Sequence, residues 1–211
     1  MGQKNIILIM KKIYLFLVQT LLVLSLVFAV GCNKDDKGND IPSGGFKVGQ
    51  KYQGGIIAYV DGTGQHGLIA APEDQSSGIS WDSRWNEGEV TFEIETGATG
   101  TKIGTGKSNT AKIIQSKVAG AAKLCDDLDL NGYSDWFLPS RDELDELYKN
   151  RASIGGFSPK EYWSSSESTY VPGSDSGEPY LTAWYENFYD GGQNSDSNRG
   201  YDYRVRAVRA F

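Results

Sequence analysis

The stretch 135–148 (DWFLPSRDELDELY) constrains the fold of this chain more than any other part of the sequence. Aromatic residues and a leucine lead into Pro139, and a helix is expected to begin at once. Ser140 is a favourable N-cap, and Glu143 completes a capping box, because each side chain accepts a hydrogen bond from a free backbone N–H of the first turn. The apolar face of this helix comprises Leu144, Leu147 and Tyr148. We therefore predict an extended segment joined to a capped helix, a hub against which the flanking sequence packs.

The hub also predicts which residues are buried. We expect one contiguous core cluster formed by Trp136, Leu138, Leu144, Leu147, Trp163 and Val208. Arg206 and Arg209 lie in an apolar terminal strand, so at least one of them should be partly buried. A partly buried guanidinium group requires a carboxylate partner. The candidate partners near the hub are Asp135, Glu143 and Glu167.

Apolar patterning assigns the remaining elements. Segments 54–60 and 68–71 flank a glycine-rich turn that contains the only histidine, His66, and together they predict a β-hairpin. Apolar residues repeat at helical spacing over 111–128 and predict one long helix, with Cys125 as a small buried side chain. Strands are expected at 162–167, 180–189 and 203–211. Loops are expected at 171–179, which is bounded by prolines, and at 190–202, which contains no aliphatic side chain.

Several motifs occur in a fixed order along the chain. They are 132–140 (GYSDWFLPS), 143–144 (EL), 162–167 (YWSSSE), 183–185 (AWY) and 205–211 (VRAVRAF), preceded by the hairpin segments. In this order they resemble the Lcl C-terminal domain family, which is named for the terminal domain of a collagen-like bacterial adhesin. The resemblance extends over residues 46–211. It implies a C-type-lectin-like α+β fold, with two main helices packed on short antiparallel strands and long loops. For the named adhesin, it implies binding of sulfated polysaccharide.

The N-terminal segment indicates export and lipidation. Lys11 and Lys12 precede an apolar run at 13–30, and Gly31 and Cys32 follow it. This layout is typical of a bacterial lipoprotein signal in which Cys32 is lipidated, although an uncleaved membrane anchor is the rival interpretation. The predicted organisation is a signal peptide at 1–31, a flexible tether at 32–45 and a lectin-like domain at 46–211.

The tether also contains a candidate signal for an address within the envelope. The tripeptide 34–36 (KDD) resembles the acidic export signal of lipoproteins displayed on the outside of some Gram-negative cells. A solvated linker with no addressing role is the alternative. We expect an outer-membrane lipoprotein that faces the cell exterior and contacts the membrane through its lipid anchor.

The net charge excludes some partners. Residues 1–31 hold three lysines and no acidic residue, so the rest of the chain carries 18 basic and 27 acidic side chains. An acidic surface repels nucleic acid and sulfated glycans alike. We therefore expect no nucleic-acid partner, and we expect this chain to differ from the named adhesin in its ligand.

One acidic stretch matches part of a calcium-binding loop. Oxygen donors at positions 1, 3, 5 and 9 of an EF-hand loop correspond to Asp127, Asp129, Asn131 and Asp135, and Gly132 occupies position 6. Position 12, which requires a bidentate glutamate, is Leu138. The motif predicts a calcium site at these four residues only in part, because Asp, Asn and Gly also simply end helices.

Enzymatic chemistry finds little support. A nucleophilic hydrolase needs a positioned base, and a zinc site needs three or four ligands, whereas this chain has one histidine and, beyond Cys32, only Cys125. The lectin-like fold also includes formylglycine-generating enzymes, whose chemistry uses paired cysteines, and Cys125 has no such partner. We expect no catalytic residues and no cofactor other than the calcium discussed above.

Binding is favoured by the segment 180–203, which holds seven aromatic residues interleaved with Asn and Asp. Aromatic rings offer apolar area at low entropic cost, and amides and carboxylates offer directed hydrogen bonds. Trp184 and Phe188 are expected in the core. The predicted ligand contacts are Tyr185, Asn187, Tyr189, Asn194, Asn198 and Tyr201. We expect a surface-anchored binding domain for a glycan or a protein; the alternatives are a structural or envelope-assembly component without a small ligand and, third, an enzyme.

Overall fold

The strands and helices form an α+β arrangement, as expected. The computed structural model describes residues 44–85, 94–118, 120–168 and 181–211. The strands are β1 (Lys51–Tyr52), β2 (Gly55–Val60), β3 (Gly67–Ala70), β4 (Ser76–Ile79), β5 (Glu161–Ser168), β6 (Thr182–Asn187), β7 (Gly192–Asn198), β8 (Tyr203–Val205) and β9 (Val208–Ala210). The helices are α1 (Gly106–Gln115), α2 (Ala121–Asp126), α3 (Arg141–Lys149) and α4 (Arg151–Ile154), and Ser83–Trp85 forms a single 3-10 turn.

Three predicted segments lie wholly or mostly outside these ranges. The signal peptide 1–31 and most of the tether, including the predicted lipidation site Cys32, precede the described residues, and the loop 171–179 falls in the gap before residue 181. Within the described residues, Gly45–Phe211 forms a compact unit of its own. No helix among the described residues is long and apolar enough to cross a membrane.

The strands form two sheets. One has four strands in the order β1-β2-β3-β9, and the other has five in the order β4-β8-β5-β6-β7. Neighbouring strands are antiparallel except β5 and β8, which are parallel. The predicted hairpin is confirmed, since Ile56 pairs with Ala70 and Val60 with Gly67. The last strand, β9, then adds to the far side of β3.

The hub segment lies between the two sheets. Phe137 and Val208 of β9 exchange both backbone hydrogen bonds, at 2.8 and 3.0 Å, and the Pro139 carbonyl accepts from the Ser165 N–H of β5 at 2.7 Å. The capping box is confirmed: Glu143 Oε2 accepts from the Ser140 N–H at 2.7 Å, and Ser140 Oγ accepts from the Glu143 N–H at 3.4 Å. The hub therefore joins both sheets to α3.

The six residues predicted to form one core cluster are all buried, but they belong to two clusters. Trp136, Leu138 and Trp163 lie in one cluster, and the other contains Leu144, Leu147 and Val208. The reason is the extended conformation of the hub, in which successive side chains point to opposite sides. Phe137, between Trp136 and Leu138, accordingly packs in the second cluster. The prediction of a single cluster is wrong.

The single helix predicted over 111–128 is also wrong, because α1 and α2 are separate helices. Lys117 has a φ of 59°, which ends the helical run. Gly120 approaches the carbonyl of Ser80 so closely that a Cβ atom would collide with it, and its N–H donates to the Trp81 carbonyl at 3.1 Å. The break thus lets the chain pack against a segment about forty residues earlier, and Cys125 remains fully buried as predicted.

Candidate binding face

One face of the five-stranded sheet carries a row of side chains that crosses all of its strands. Ile79 of β4 pairs with Tyr203 of β8, and Trp163 of β5 pairs with Tyr185 of β6, which in turn pairs with Asn194 of β7. The rings of Trp163 and Tyr203 join the two halves, with centroids 4.4 Å apart. Directly paired residues project to the same side of a sheet, so these five side chains form one line, here called the aromatic row.

The row is built on a buried tryptophan and becomes exposed at its edge. Trp163 is fully buried and its Nε1–H donates to the Ile79 carbonyl at 2.9 Å, which fixes the ring. Tyr185 and Tyr203 are half-buried, with ring centroids 4.9 Å apart. Tyr201 stacks on Tyr203 at 6.0 Å and 14°, and it is 57% exposed. The protein therefore presents tyrosine rings to solvent on a rigid support.

Amide and carboxylate groups border these rings. Asn194 lies beside Tyr185 in the sheet register. The Tyr185 hydroxyl donates to Asp196 Oδ1 at 3.5 Å. Asn194 and Asp196 are side chains of β7, the strand at the edge of the sheet. Aromatic surface next to directed polar groups is the combination that binds amphipathic ligands.

The turn that carries Tyr201 is held by a buried ion pair. Arg199 forms a salt bridge with Glu167 of β5, and its guanidinium carbon lies 4.4 Å from the ring centre of Trp81. Both partners are almost completely buried. Asn198 Oδ1 accepts from the Gly200 N–H at 2.8 Å and closes the turn. Sequence reasoning missed Arg199, since nothing near it in the chain marks a partner more than thirty residues away.

Three of the six predicted contacts come together here, namely Tyr185, Asn194 and Tyr201. Asn187 and Tyr189 lie at the other end of the β6–β7 hairpin, where Asn187 Oδ1 accepts from the Tyr189 N–H at 2.9 Å and Tyr189 is 77% exposed. Asn198 pairs with Thr182. Thr182 is three positions from Tyr185 in β6, so the two side chains project to opposite faces, and Asn198 lies on the face opposite Tyr185. The structure therefore divides the predicted set among three places.

The predicted loop at 190–202 is wrong, because it contains the strand β7. β7 consists only of glycine and polar residues, so its sequence lacks the alternation of apolar and polar side chains that identifies a strand. β7 forms because the edge of β6 is available for pairing. The outer edge of β7 is not covered by another strand of the described sheet, so polar side chains are tolerated there.

The opposite face of the hairpin packs on α3. Phe188 is buried, as predicted, whereas Trp184 is only half-buried and lies under Arg141, with the guanidinium carbon 4.8 Å from the ring centre. Gln193 Nε2 donates to the Arg141 carbonyl at 3.0 Å and to Glu186 Oε2 at 3.2 Å. Glu186 is fully buried, its Oε1 has no hydrogen-bond partner among the described residues, and burial raises its pKa to about 8. This interface fixes the backbone that carries Tyr185 and Asn194.

Both late arginines are buried and paired. Arg209 donates to the two carboxylate oxygens of Asp135 at 2.7 and 3.0 Å, which confirms the prediction of a hub carboxylate. Arg206 is fully buried and its Nε donates to Asp74 Oδ1 at 2.8 Å. Asp74 was not among the predicted partners, because more than one hundred residues separate it from Arg206.

The stretch predicted in part to bind calcium has a different local structure. Asp135 is held by Arg209 and Asp127 by Lys123, while Asn131 Nδ2 donates to the Gly54 carbonyl at 3.1 Å. Asn131 and Gly132 have φ angles of 55° and 78°, as in a two-residue hairpin turn, and Leu130 and Tyr133 on either side exchange both backbone hydrogen bonds at 3.0 and 3.1 Å. Among the described residues, no three His, Cys, Asp or Glu side chains are grouped so that they could hold a metal ion. Asp127 is the C-cap of α2, so the stretch combines a helix end with a hairpin turn, and calcium binding stays a prediction.

The remaining reactive groups add no catalytic arrangement. Cys125 is fully buried, and burial raises the pKa of its thiol, which keeps it protonated and unreactive. His66 is exposed in the turn between β2 and β3. That the chain is not an enzyme stays a prediction.

Comparison with known proteins identifies a family. The sequence matches the family described as Lcl C-terminal domain over residues 71–209, which is more than half of the chain. No curated protein matches it. Among solved structures it is similar to a fimbrial protein from Bacteroides ovatus ATCC 8483, with 13% identity, a TM-score of 0.44, and coverage of 73% of this chain and 43% of that chain. This chain thus spans less than half of the length of that protein.

Proposed function

This chain belongs to the Lcl C-terminal domain family, and on that premise we propose that it is a surface lipoprotein whose C-type-lectin-like domain binds a glycan. The binding surface is the exposed edge of the aromatic row, with Tyr201, Tyr203 and Tyr185 as the rings and Asn194 as the neighbouring amide. The lipid on Cys32 holds the domain at the outer membrane, facing the cell exterior.

The observation that carries this proposal is the stacked pair of Tyr201 and Tyr203 above the buried Trp163. A sugar ring presents C–H groups on its faces and hydroxyl groups on its rim. Tyrosine faces provide apolar contact to the first, and amide and carboxylate groups provide hydrogen bonds to the second. Because Trp163 and the sheet register fix the rings, little side-chain entropy is lost on binding.

The charge of the surface selects among glycans. Outside residues 1–31 the chain has 27 acidic and 18 basic side chains. The polar groups named at the row, Asn194 and Asp196, include no cation. A sulfated glycan would therefore meet repulsion, and the proposed ligand is an uncharged glycan.

A protein partner is the second candidate. The observation that favours it is the edge strand β7, which has no further strand beside it within the described sheet. An extended segment of a partner could add to such an edge through backbone hydrogen bonds. This candidate corresponds to the structural or envelope-assembly role.

The proposal is tested on an array of neutral and sulfated glycans with the domain 46–211. Tyr201→Ala should weaken binding of neutral glycans about tenfold or more, because it removes an exposed ring at the centre of the contact. Ile103→Ala is the matched control, since Ile103 is an apolar side chain that is 40% exposed in the loop before α1.

Three outcomes are decisive. Retention of sulfated rather than neutral glycans would contradict the proposed ligand class. Equal binding by the parent and Tyr201→Ala would remove the aromatic row as the site. Loss of binding in Tyr189→Ala alone would move the site to the tip of the β6–β7 hairpin.

A further inference from the structure

A pocket of about 800 Å³ lies between the segment that leads into β4 and the end of α2. Its lining consists of Pro72, Glu73, Asp74 and Gln75 on one side and Leu124, Asp127, Leu128, Asp129 and Leu130 on the other. None of these residues belongs to the aromatic row. The volume is within the range of pockets that bind ligands. These residues are called the acidic groove below.

Leucine side chains give the acidic groove an apolar surface. Leu124, Leu128 and Leu130 are half-buried and pack with one side against the core cluster of Trp163. Their other sides line the pocket. A ligand that covers this apolar surface removes it from water, and that burial favours binding.

Negative charge surrounds this apolar surface. Glu73 and Asp129 are exposed, and neither forms a salt bridge within the described part of the chain. Asp127 pairs only with Lys123, and both side chains are about half exposed, so this pair contributes little. No Lys or Arg side chain lines the pocket. Glu73 and Asp129 are therefore the two carboxylates of the groove whose charge is left to attract a cation.

The wall formed by residues 72–75 is rigid. Asp74 Oδ2 accepts from the Tyr162 hydroxyl at 2.8 Å and from Arg204 at 3.0 Å, while its Oδ1 accepts from Arg206 at 2.8 Å. The charge of Asp74 is thus neutralised by two arginines, and its role is to hold the segment in place. The groove is preformed, which lowers the entropic cost of binding.

We propose that the acidic groove binds a basic peptide segment of a partner protein, in which lysine or arginine alternates with leucine-like residues. Alternate side chains of an extended segment point in opposite directions, so one set covers the leucines while the flanking cations reach Glu73 and Asp129. The proposal does not rest on glycan binding at the aromatic row. It provides the domain with a second, independent surface for attachment within the cell envelope.

The test is fluorescence anisotropy of labelled peptides with the domain 46–211. The peptides are acetyl-Leu-Lys-Leu-Lys-Leu-amide, its analogue with serine in place of leucine, and its analogue with glutamate in place of lysine. The leucine–lysine peptide should bind at least tenfold more tightly than either analogue, and its affinity should fall as salt screens the charges.

Variants locate the contact. The double variant Glu73→Gln with Asp129→Asn should weaken binding of the leucine–lysine peptide about tenfold, since it removes both unpaired charges. Glu95→Gln is the matched control, because Glu95 is an exposed carboxylate outside the groove. The melting temperature of each variant verifies that it is folded.

The proposal is overturned if the double variant binds like the parent, or if no peptide binds. Equal affinity for the serine analogue would mean attraction by charge alone and would equally remove the groove as a specific site. If spermidine displaces the labelled peptide and binds with the same affinity as the peptide, the ligand of the groove would be a small amine rather than a peptide, and the proposal would be overturned.

Discussion

Glu186 is a buried carboxyl group, and one of its oxygens has no partner in the described part of the chain, which makes the stability of the domain depend on pH. Burial raises its pKa from 4.5 to about 8. Between these values the folded protein keeps a proton that the unfolded chain releases, so the free energy of unfolding falls as the pH rises from about 4.5 to about 8 and then levels off. The charged groups that face it include Asp145, Lys149 and Arg151.

We therefore expect Glu186→Gln to stabilise the domain at pH 8 by roughly 1–3 kcal/mol, because the neutral amide does not titrate and so removes the cost of holding a buried carboxyl group at a pH where the unfolded chain is ionised. The variant should also show less dependence of stability on pH over this interval. Urea unfolding at pH 5, 7 and 9 measures both effects, with the exposed Glu95→Gln as the control. If the free energy of unfolding of the variant changed with pH as steeply as that of the parent, Glu186 would not be the titrating group.

At the scale of single elements, α3 contributes through its buried face. Leu144 is 1% exposed and packs in the second core cluster. We expect Leu144→Ala to lower the free energy of unfolding by about 2–5 kcal/mol, because it leaves a cavity beneath the hub. Lys149→Ala on the same helix removes only exposed ion pairs and should cost less than about 1 kcal/mol. Chemical denaturation compares the two, and a loss under about half a kilocalorie for Leu144→Ala would show that its site collapses without a cavity.

The elements that could be predicted from the sequence are those whose signals are local. The capping box of Ser140 and Glu143 and the hairpin of β2 and β3 are encoded within a few residues, and both are confirmed. The break between α1 and α2 depends on the carbonyl of Ser80, which no local pattern reveals. For the same reason β7 was missed, since its polar residues become a strand only because β6 is beside them.

The candidate site likewise has a part that could be predicted from the sequence and a part that could not. Composition singled out the segment that supplies most of the candidate surface, with Tyr185, Asn194 and Tyr201 together. The sequence did not predict that Asn198 belongs to the other face, because a β-bulge between Ala183 and Tyr185 shifts the register of β7. Tyr203, Trp163 and Ile79 complete the row through pairings across the whole sheet, which are not visible in any single segment.

At the scale of the whole molecule, the proposed lipid anchor would hold the domain at the membrane. We expect Cys32→Ser to release the protein from the membrane fraction or to leave it unprocessed, because a lipid on Cys32 is the proposed attachment. Fractionation and electrophoretic mobility measure this outcome, and the domain variant Ile103→Ala is the control for export. Unchanged membrane partitioning and size in Cys32→Ser would contradict the lipoprotein proposal.

The pairing of β9 with β3 sets the order in which this protein can fold. Residues of the last strand complete the sheet begun by the first hairpin, and they also hold the hub through Val208 and Phe137. Contacts between the two ends of a domain give a high contact order and slow folding. The core therefore stays incomplete until β9 has emerged from the ribosome or from a translocation channel. Under the export proposed here, this delay keeps the chain unfolded enough to pass through a translocation channel.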